Sequence, residues 1–403
     1  MGELGISRLI LNNRFRSEKF NLFRNQINQA VLYTPLLTLL VMSFLLSFFP
    51  YNWLNFLVLY ASIIFVYVIF LFKKGSYESW LVLFLGVVYR IVPLFSLPML
   101  LSNDIFQYGS FGTKILEGLI PYRSFDAPYP PLSLYVTVPF VLIGDLRFLK
   151  ALFSLCDILI VFIVHKVFLR GAENANKISM LLLLFPVSLV EYSISGHNDS
   201  LTLLLLIVSL VLLDKSVTVS SALMALSVLC KIFPVIFVPF IFKHLYSNSK
   251  KSALVFLSIL IIVLSVISLP FVLASWDGYI SMIIGLTRYS IPYGIFTSLF
   301  FYSLGTSSQQ SIMLSLMFGI ILLIAFCALI FTISSRRNWP LMKSCSISLL
   351  VLPLLLPQFH PWYLLWALPF ITTYYSNNLK LIRGYTLLFL FFHILYYLLF
   401  SFN

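Results

Sequence analysis

The sequence predicts an all-α polytopic membrane protein of about 13 transmembrane helices with a juxtamembrane helix on its outer face, and three observations carry that reading. The 403 residues are 61% hydrophobic and only 10% charged, against about 25% charged in an ordinary soluble domain. The apolar residues fall in long unbroken runs, such as Leu181–Val190, Leu201–Leu213, Phe256–Val272 and Ile320–Ile333, with lengths that approach the ~20 residues needed to cross a hydrocarbon core of roughly 30 Å. The net charge of +13 is distributed as the positive-inside rule requires of a membrane protein, so the basic balance is not a nucleic-acid signal.

Taken in order, residues 1–30 carry Arg8, Arg14, Arg16, Lys19 and Arg24 without a long apolar core. They read as a basic cytoplasmic tail followed by an uncleaved first span, since a signal peptide has a different layout. Residues 31–403 read as one transmembrane domain. Its spans are expected near 31–50, 53–72, 79–101, 147–169, 177–194, 198–213, 217–230, 232–246, 252–273, 310–333, 340–356, 362–377 and 379–400. Segment 131–144 is short and follows two prolines. If it is re-entrant or lies on the membrane surface, 19 of the 26 Lys and Arg residues fall on the inner side. Making it a span would put most of the downstream basic loops outside, which the positive-inside rule disfavours. Cys156, Cys230, Cys327 and Cys345 lie in apolar segments without metal-ligand spacing and read as small buried hydrophobes.

The outer side then holds two long loops, 102–130 and 274–309, and most of the remaining ionisable groups. In the first loop, Gln107, Ser110, Lys114 and Glu117 form a polar stripe, and Tyr108, Phe111, Ile115 and Leu119 an apolar one. This is an amphipathic helix suited to the membrane interface, ended by Gly118 and Pro121. Asp104 at its start reads either as a helix cap or as a carboxylate able to take a proton from a hydroxyl. Asp199, with His197, reads either as a cap or as a group that orients a substrate. Lys231 interrupts an apolar stretch, where a lysine at the bilayer centre costs roughly 2.5–3.5 kcal/mol. A helix break aided by Pro234 removes that cost, leaving a snorkelling or a phosphate-binding lysine. Arg123, Arg288 and His360 are further outer groups that could meet phosphate, with surface decoration or a structural cap as the plainer alternatives. Among the many aromatic residues, Tyr129, Trp362 and Tyr363 stand beside these polar groups, and the rest read as lipid-facing or interfacial.

Several short motifs occur in a fixed order: Asp104 after an early span, Gly118-Leu-Ile-Pro-Tyr122, Tyr129-Pro-Pro-Leu132, Gly196-His-Asn-Asp199, Lys231-Ile-Phe-Pro234 and His360-Pro-Trp-Tyr-Leu-Leu-Trp366. Together, over about residues 100–370, they resemble the GT-C superfamily of glycosyltransferases. The likeness is to its polyprenol-phosphate-mannose-dependent mannosyltransferases, including the GPI-anchor mannosyltransferase I type. Many members carry Asp-x-Asp in the first loop, whereas Ser102-Asn103-Asp104 offers one carboxylate, which makes Asp104 the sole base candidate there.

The resemblance implies a GT-C-like fold and transfer of a hexose, mannose by similarity, from a polyprenyl or dolichyl phosphate to a glycan or glycolipid hydroxyl at the outer or luminal face. The leaving phosphate needs no proton, so one base plus positive charge on the phosphate suffices. Asp104 is the expected base, and Lys231, Arg288, His360 and Arg123 are the expected phosphate partners. Asp199, His197, Asp126, Tyr129 and Tyr122 are the expected acceptor-side residues. No cofactor, divalent metal or nucleic-acid partner is expected. The competing readings are a lipid or polysaccharide transporter or flippase, and a lipid-linked glycan polymerase or ligase. Transporters usually bind near the midplane and often show paired halves, and no repeat is visible here.

Overall fold

A computed structural model describes residues 53–72, isolated positions between 84 and 94, and residues 103–284, 295–305, 309–356 and 359–400. The chain divides into two units, Met1–Lys73 and Lys74–Asn403. In the first, the described residues form one apolar helix, α1 (Trp53–Phe72).

Among the described residues of the second unit, regular structure is helical apart from one isolated bridge between Pro121 and Phe125. The first continuous helix among its described residues is α2 (Asn103–Leu116). Two short helices follow, α3 (Pro131–Tyr135) and α4 (Val138–Ile143). At 1.5 Å per residue this pair spans roughly 20 Å, short of the hydrocarbon core. Next come α5 (Arg147–Ile163) with a π-helical end, α6 (Ala175–Leu183), α7 (Asp199–Leu212) and α8 (Val217–Cys230). A 3₁₀ segment, Phe233–Phe237, leads into α9 (Val238–Asn248). The remaining helices are α10 (Lys250–Ala274), α11 (Trp276–Ile283), α12 (Ile295–Ser303), α13 (Gln309–Arg336) and α14 (Leu341–Leu355). After the 3₁₀ turn Pro361–Trp366 come α15 (Leu368–Tyr374) and α16 (Leu379–Phe400).

Among the described residues, five helical stretches are long and apolar enough to cross a membrane: Arg147–Phe168, Ala175–Ser195, Lys250–Ala274, Gln310–Arg336 and Leu379–Leu398. Their burial sorts them. Residues 178–195 are buried throughout, whereas α10 exposes Leu254, Ile261, Ile262, Val266 and Leu273. An apolar surface of that kind needs a partner or lipid, and with five such stretches the chain is an integral membrane protein. The polar residues of the buried stretch have no lipid option, and Ser188, Glu191 and Ser193 meet polar side chains of other segments.

The broken spans follow from prolines. The expected span 232–246 is a 3₁₀ turn plus α9, with Pro234 and Pro239 each near the start of its segment, where a missing N–H costs nothing. The expected span 362–377 is likewise split into the 3₁₀ turn and α15, with Pro361 and Pro369 at the starts. The expected span 31–50 and most of 79–101 lie outside the described residues. In α2 the apolar stripe is largely borne out: Tyr108 and Phe111 are buried, while Gln107, Ser110 and Glu117 are exposed. Leu119 is exposed instead, because the helix ends before it and Gly118 takes a left-handed φ of 80°. Together with Tyr122, Tyr129, Phe153, Phe271 and Tyr279, the buried face of α2 forms one apolar cluster that seats the first loop on α5, α10 and α11. The close seat also depends on Gly278, where a Cβ would stand 2.2 Å from the Tyr122 carbonyl oxygen.

Candidate active site

Asp104 occupies the first turn of α2. Its Oδ2 accepts a hydrogen bond from the Tyr129 hydroxyl at 3.1 Å, and Nδ1 of His197 lies 3.1 Å from the same oxygen. Tyr129 is held in turn, because the Tyr122 hydroxyl donates to its carbonyl oxygen at 2.6 Å. His197 is buried, while the Asp104 side chain keeps 29% of its surface exposed. The carboxylate is thus fixed from behind and open in front.

The far side of His197 meets a second acid: Nε2 stands 3.0 Å from Oε2 of Glu191. Glu191 Oε1 also lies 2.6 Å from His393 Nε2 on α16 and accepts from the Tyr397 hydroxyl at 2.9 Å. Asp104, His197, Glu191 and His393 therefore alternate acid and imidazole along one line running from the partly exposed carboxylate into the protein. The backbone makes this possible through a π-helical stretch, Leu189–Ser195, closed by Gly196 in a left-handed conformation. π-bulges of this kind occur frequently at functional sites. Burial works against a charged His197, but its hydrogen bonds to Asp104 and Glu191 and their charges outweigh that, raising its pKa to about 10. His197 is a cation at neutral pH.

A second cluster adjoins the first at Asp199. Lys231 Nζ donates to Asp199 Oδ1 at 2.6 Å, and Trp366 Nε1 donates to the same oxygen at 2.6 Å. The lysine is the extended residue that ends α8, and its ammonium stands over the rings of Tyr363 and Trp366. Trp366 is itself stacked on Phe233 with centroids 3.9 Å apart. Asp199 Oδ2 is buried with no hydrogen-bond partner among the described residues. His360 stacks on Trp362 at 4.3 Å, and Trp362 also packs against His197 at 4.8 Å. Residues from the first loop, the α6–α7 connection, the α8 break and the turn before α15 thus meet at one place.

The model of glycosyltransferase family 87 matches residues 128–360. The chain belongs to that family. It is also 30% identical over 139 residues to GPI mannosyltransferase 1 of Dictyostelium discoideum, an alignment that covers 33% of this chain and 31% of that protein. The chain thus spans less than a third of the length of the curated relative it matches. No solved structure matches significantly. The expected resemblance is borne out to the level of a mannosyltransferase-like glycosyltransferase.

In this family 87 chain the matched stretch holds Tyr129, Glu191, His197, Asp199, Lys231 and His360, while Asp104 precedes it and Trp366 and His393 follow it. Of the residues expected from sequence, Asp104, Tyr122, Tyr129, His197, Asp199, Lys231 and His360 come together. Arg123 and Asp126 do not: both side chains are exposed on the first loop, with no ion pair between either of them and another described residue. Arg288 lies outside the described residues. Three members of the cluster were missed by the sequence reading as site residues. Glu191, an acid near a span end, pairs with two histidines. His393 carries a sequence signal, a histidine inside an apolar helix, and Trp366 lies within the quoted His360 motif.

Proposed function

We infer that this protein transfers a hexose, mannose by similarity to its curated relative, from a polyprenyl or dolichyl phosphate sugar to an acceptor glycan or glycolipid hydroxyl at the outer or luminal face. The observation that supports this reading best is the partly exposed Asp104 carboxylate, fixed by Tyr129 and His197 beside the cation of Lys231. In the proposed step Asp104 takes the proton of the acceptor hydroxyl. The hydroxyl oxygen forms its bond to C1 of the donor sugar, the C1–O bond to phosphate breaks, and the departing polyprenyl phosphate keeps the electron pair. Attack opposite the leaving group inverts the anomeric centre.

Lys231 and His360 are the proposed phosphate contacts, with Arg123 and Arg288 as cations of the same face. Lys231 uses one N–H on Asp199, and its side chain retains 15% exposure, which suits a second, charge-assisted bond to phosphate. Asp199 Oδ2 is the proposed acceptor for a sugar hydroxyl, with Tyr122 and Tyr129 on the acceptor side. His197, enclosed between two carboxylates, is a positioning group that keeps Asp104 ionised. No metal enters this mechanism. A membrane-embedded donor accords with a site built at the ends of apolar helices.

The test uses purified protein with polyprenyl phosphate mannose and a glycolipid acceptor. Asp104→Asn keeps the shape and removes the base, and transfer is expected to fall by roughly 10²–10⁴-fold. A variant that transfers at the full rate overturns the assignment. Movement of labelled lipid across the bilayer without a new glycosidic bond favours the transporter reading.

A further inference from the structure

A second polar site lies at the other end of the helices that carry Lys231 and His360. From Lys231 the chain rises through the 3₁₀ turn and α9 by roughly 20 Å to Lys243, and α14 covers a similar distance between Leu341 and Leu355. At that end is a cavity of about 240 Å³, lined in part by Lys243, His244, Ser247, Ser334, Trp339 and Ser344. Its volume lies below the roughly 300–1,000 Å³ of sites for drug-sized ligands, and it suits a single headgroup.

The lining holds one lysine, Lys243, whose ammonium is placed, and further basic residues stand around the rim. Lys243 Nζ spends one N–H on the Ser334 carbonyl oxygen at 3.0 Å, leaving others for a ligand. Lys343 stands over the Trp339 ring at 4.5 Å. The two lipid-exposed helices next to the cavity begin or end there on basic pairs, Lys250-Lys251 for α10 and Arg336-Arg337 at the end of α13, and all four of these residues are exposed. The acid in contact with this wall is Asp214, 3.4 Å from His244 Nε2 and itself largely exposed. A tryptophan among lysines at the ends of apolar helices is the composition of a membrane–water interface, and basic groups just outside a span attract anionic lipid.

We propose that this cavity binds the phosphate of an anionic phospholipid headgroup, with Lys243 and His244 as its contacts and Trp339 at the boundary between headgroup and acyl chain. The site lies roughly 20 Å along the helices from Lys231, on the side that the basic loops assign to the inner face, and is independent of the sugar donor.

The experiment is native mass spectrometry of the full chain released from micelles containing equal amounts of phosphatidylglycerol and phosphatidylcholine. Wild type is expected to retain phosphatidylglycerol roughly tenfold over phosphatidylcholine, because both carry the phosphodiester but only phosphatidylcholine brings a choline ammonium that offsets its charge beside Lys243 and the basic pairs. Lys243→Gln and, separately, His244→Gln are each expected to reduce that preference several-fold, and Lys243→Arg to keep it. The arginine and histidine variants guard against a glutamine variant that misfolds through loss of the Ser334 contact. Equal retention of the two lipids by wild type overturns the proposal, as does a preference unchanged in both Lys243→Gln and His244→Gln. A third arm adds inorganic phosphate to lipid-stripped protein. A rise in Tm that depends on Lys243, without enrichment of phosphatidylglycerol, shows a free-phosphate site and also overturns the lipid assignment.

Discussion

His197 sets the charge state of the residues around it. An isolated imidazole is largely neutral at pH 7, yet this one lies 3.1 Å from Asp104 and 3.0 Å from Glu191 and titrates at about 10. Because its folded pKa is raised, the stability it contributes is complete below its unfolded pKa and is lost as pH rises through about 10. The same holds for its grip on Asp104. Transfer is therefore expected to show an alkaline limb near pH 10, where His197 loses its proton and Asp104 its ionic partner. Glu191→Gln keeps the shape and removes one of the two flanking carboxylates, so the limb moves to lower pH. Superimposable pH–rate profiles for wild type and Glu191→Gln would show that His197 does not govern the limb. Asp104 and His197 were legible in the sequence as polar residues at span ends. Their contact with Glu191 and His393 was not, because the Glu191–His393 pair joins positions 202 residues apart, and a histidine within an apolar helix gives no indication of its partner.

Two local elements place these residues, and each can be disturbed separately. The π-helical stretch Leu189–Ser195 ends on Gly196 at φ 80°, where an L side chain costs roughly 1–2 kcal/mol. A Cβ there would also sit 3.1 Å from Ile105 Cδ1 and from Lys150 Cγ, and Ile105 follows Asp104 directly in the chain. Gly196→Ala is expected to lower Tm modestly but to reduce transfer strongly, because it pushes α2 and its carboxylate off position; activity that tracks stability alone would show that the turn is merely structural. The break at Lys231 is the second element. Lys231→Met leaves the buried Asp199 without its cation, a loss of roughly 3–5 kcal/mol. Adding Asp199→Asn removes the stranded charge and is expected to restore most of the stability without restoring transfer, and thermal unfolding of the single and double variants measures the difference. The break was legible because a lysine inside an apolar run needs a way out of the bilayer. The π-helical stretch was not, since its leucine, valine, isoleucine and serines read as the end of an ordinary span.

Across the whole second unit, the sequence pattern and the packing meet in the division of charge. Composition and run length were enough to show an apolar, helical membrane protein, because lipid imposes that pattern on every exposed span. Burial sorts what composition could not: residues 178–195 are apolar enough to cross a membrane, as their neighbours are, but are enclosed throughout, and so can hold Glu191 away from lipid. Buried too are Arg90 and Asp157, whose side chains approach to 2.5 Å. No spacing rule links residues 67 positions apart, so this pair shows only in the fold. The two-sided arrangement makes a prediction for the intact membrane. Glu117, just beyond the end of α2, and Lys250, at the start of α10, are both exposed, and the charge distribution assigns them to opposite sides. Of the native cysteines, Cys156, Cys230 and Cys345 are buried, and Cys327 is partly so; replacing Cys327 by serine gives a quiet background. In sealed vesicles of known orientation, an impermeant maleimide added outside is expected to label only one of Glu117→Cys and Lys250→Cys, and to label the other once the vesicles are opened. Labelling of both from the same side would place the Asp104 cluster and the basic cavity in one leaflet. That would remove the topological argument for an outer-face transferase and for a lipid site facing it across the bilayer.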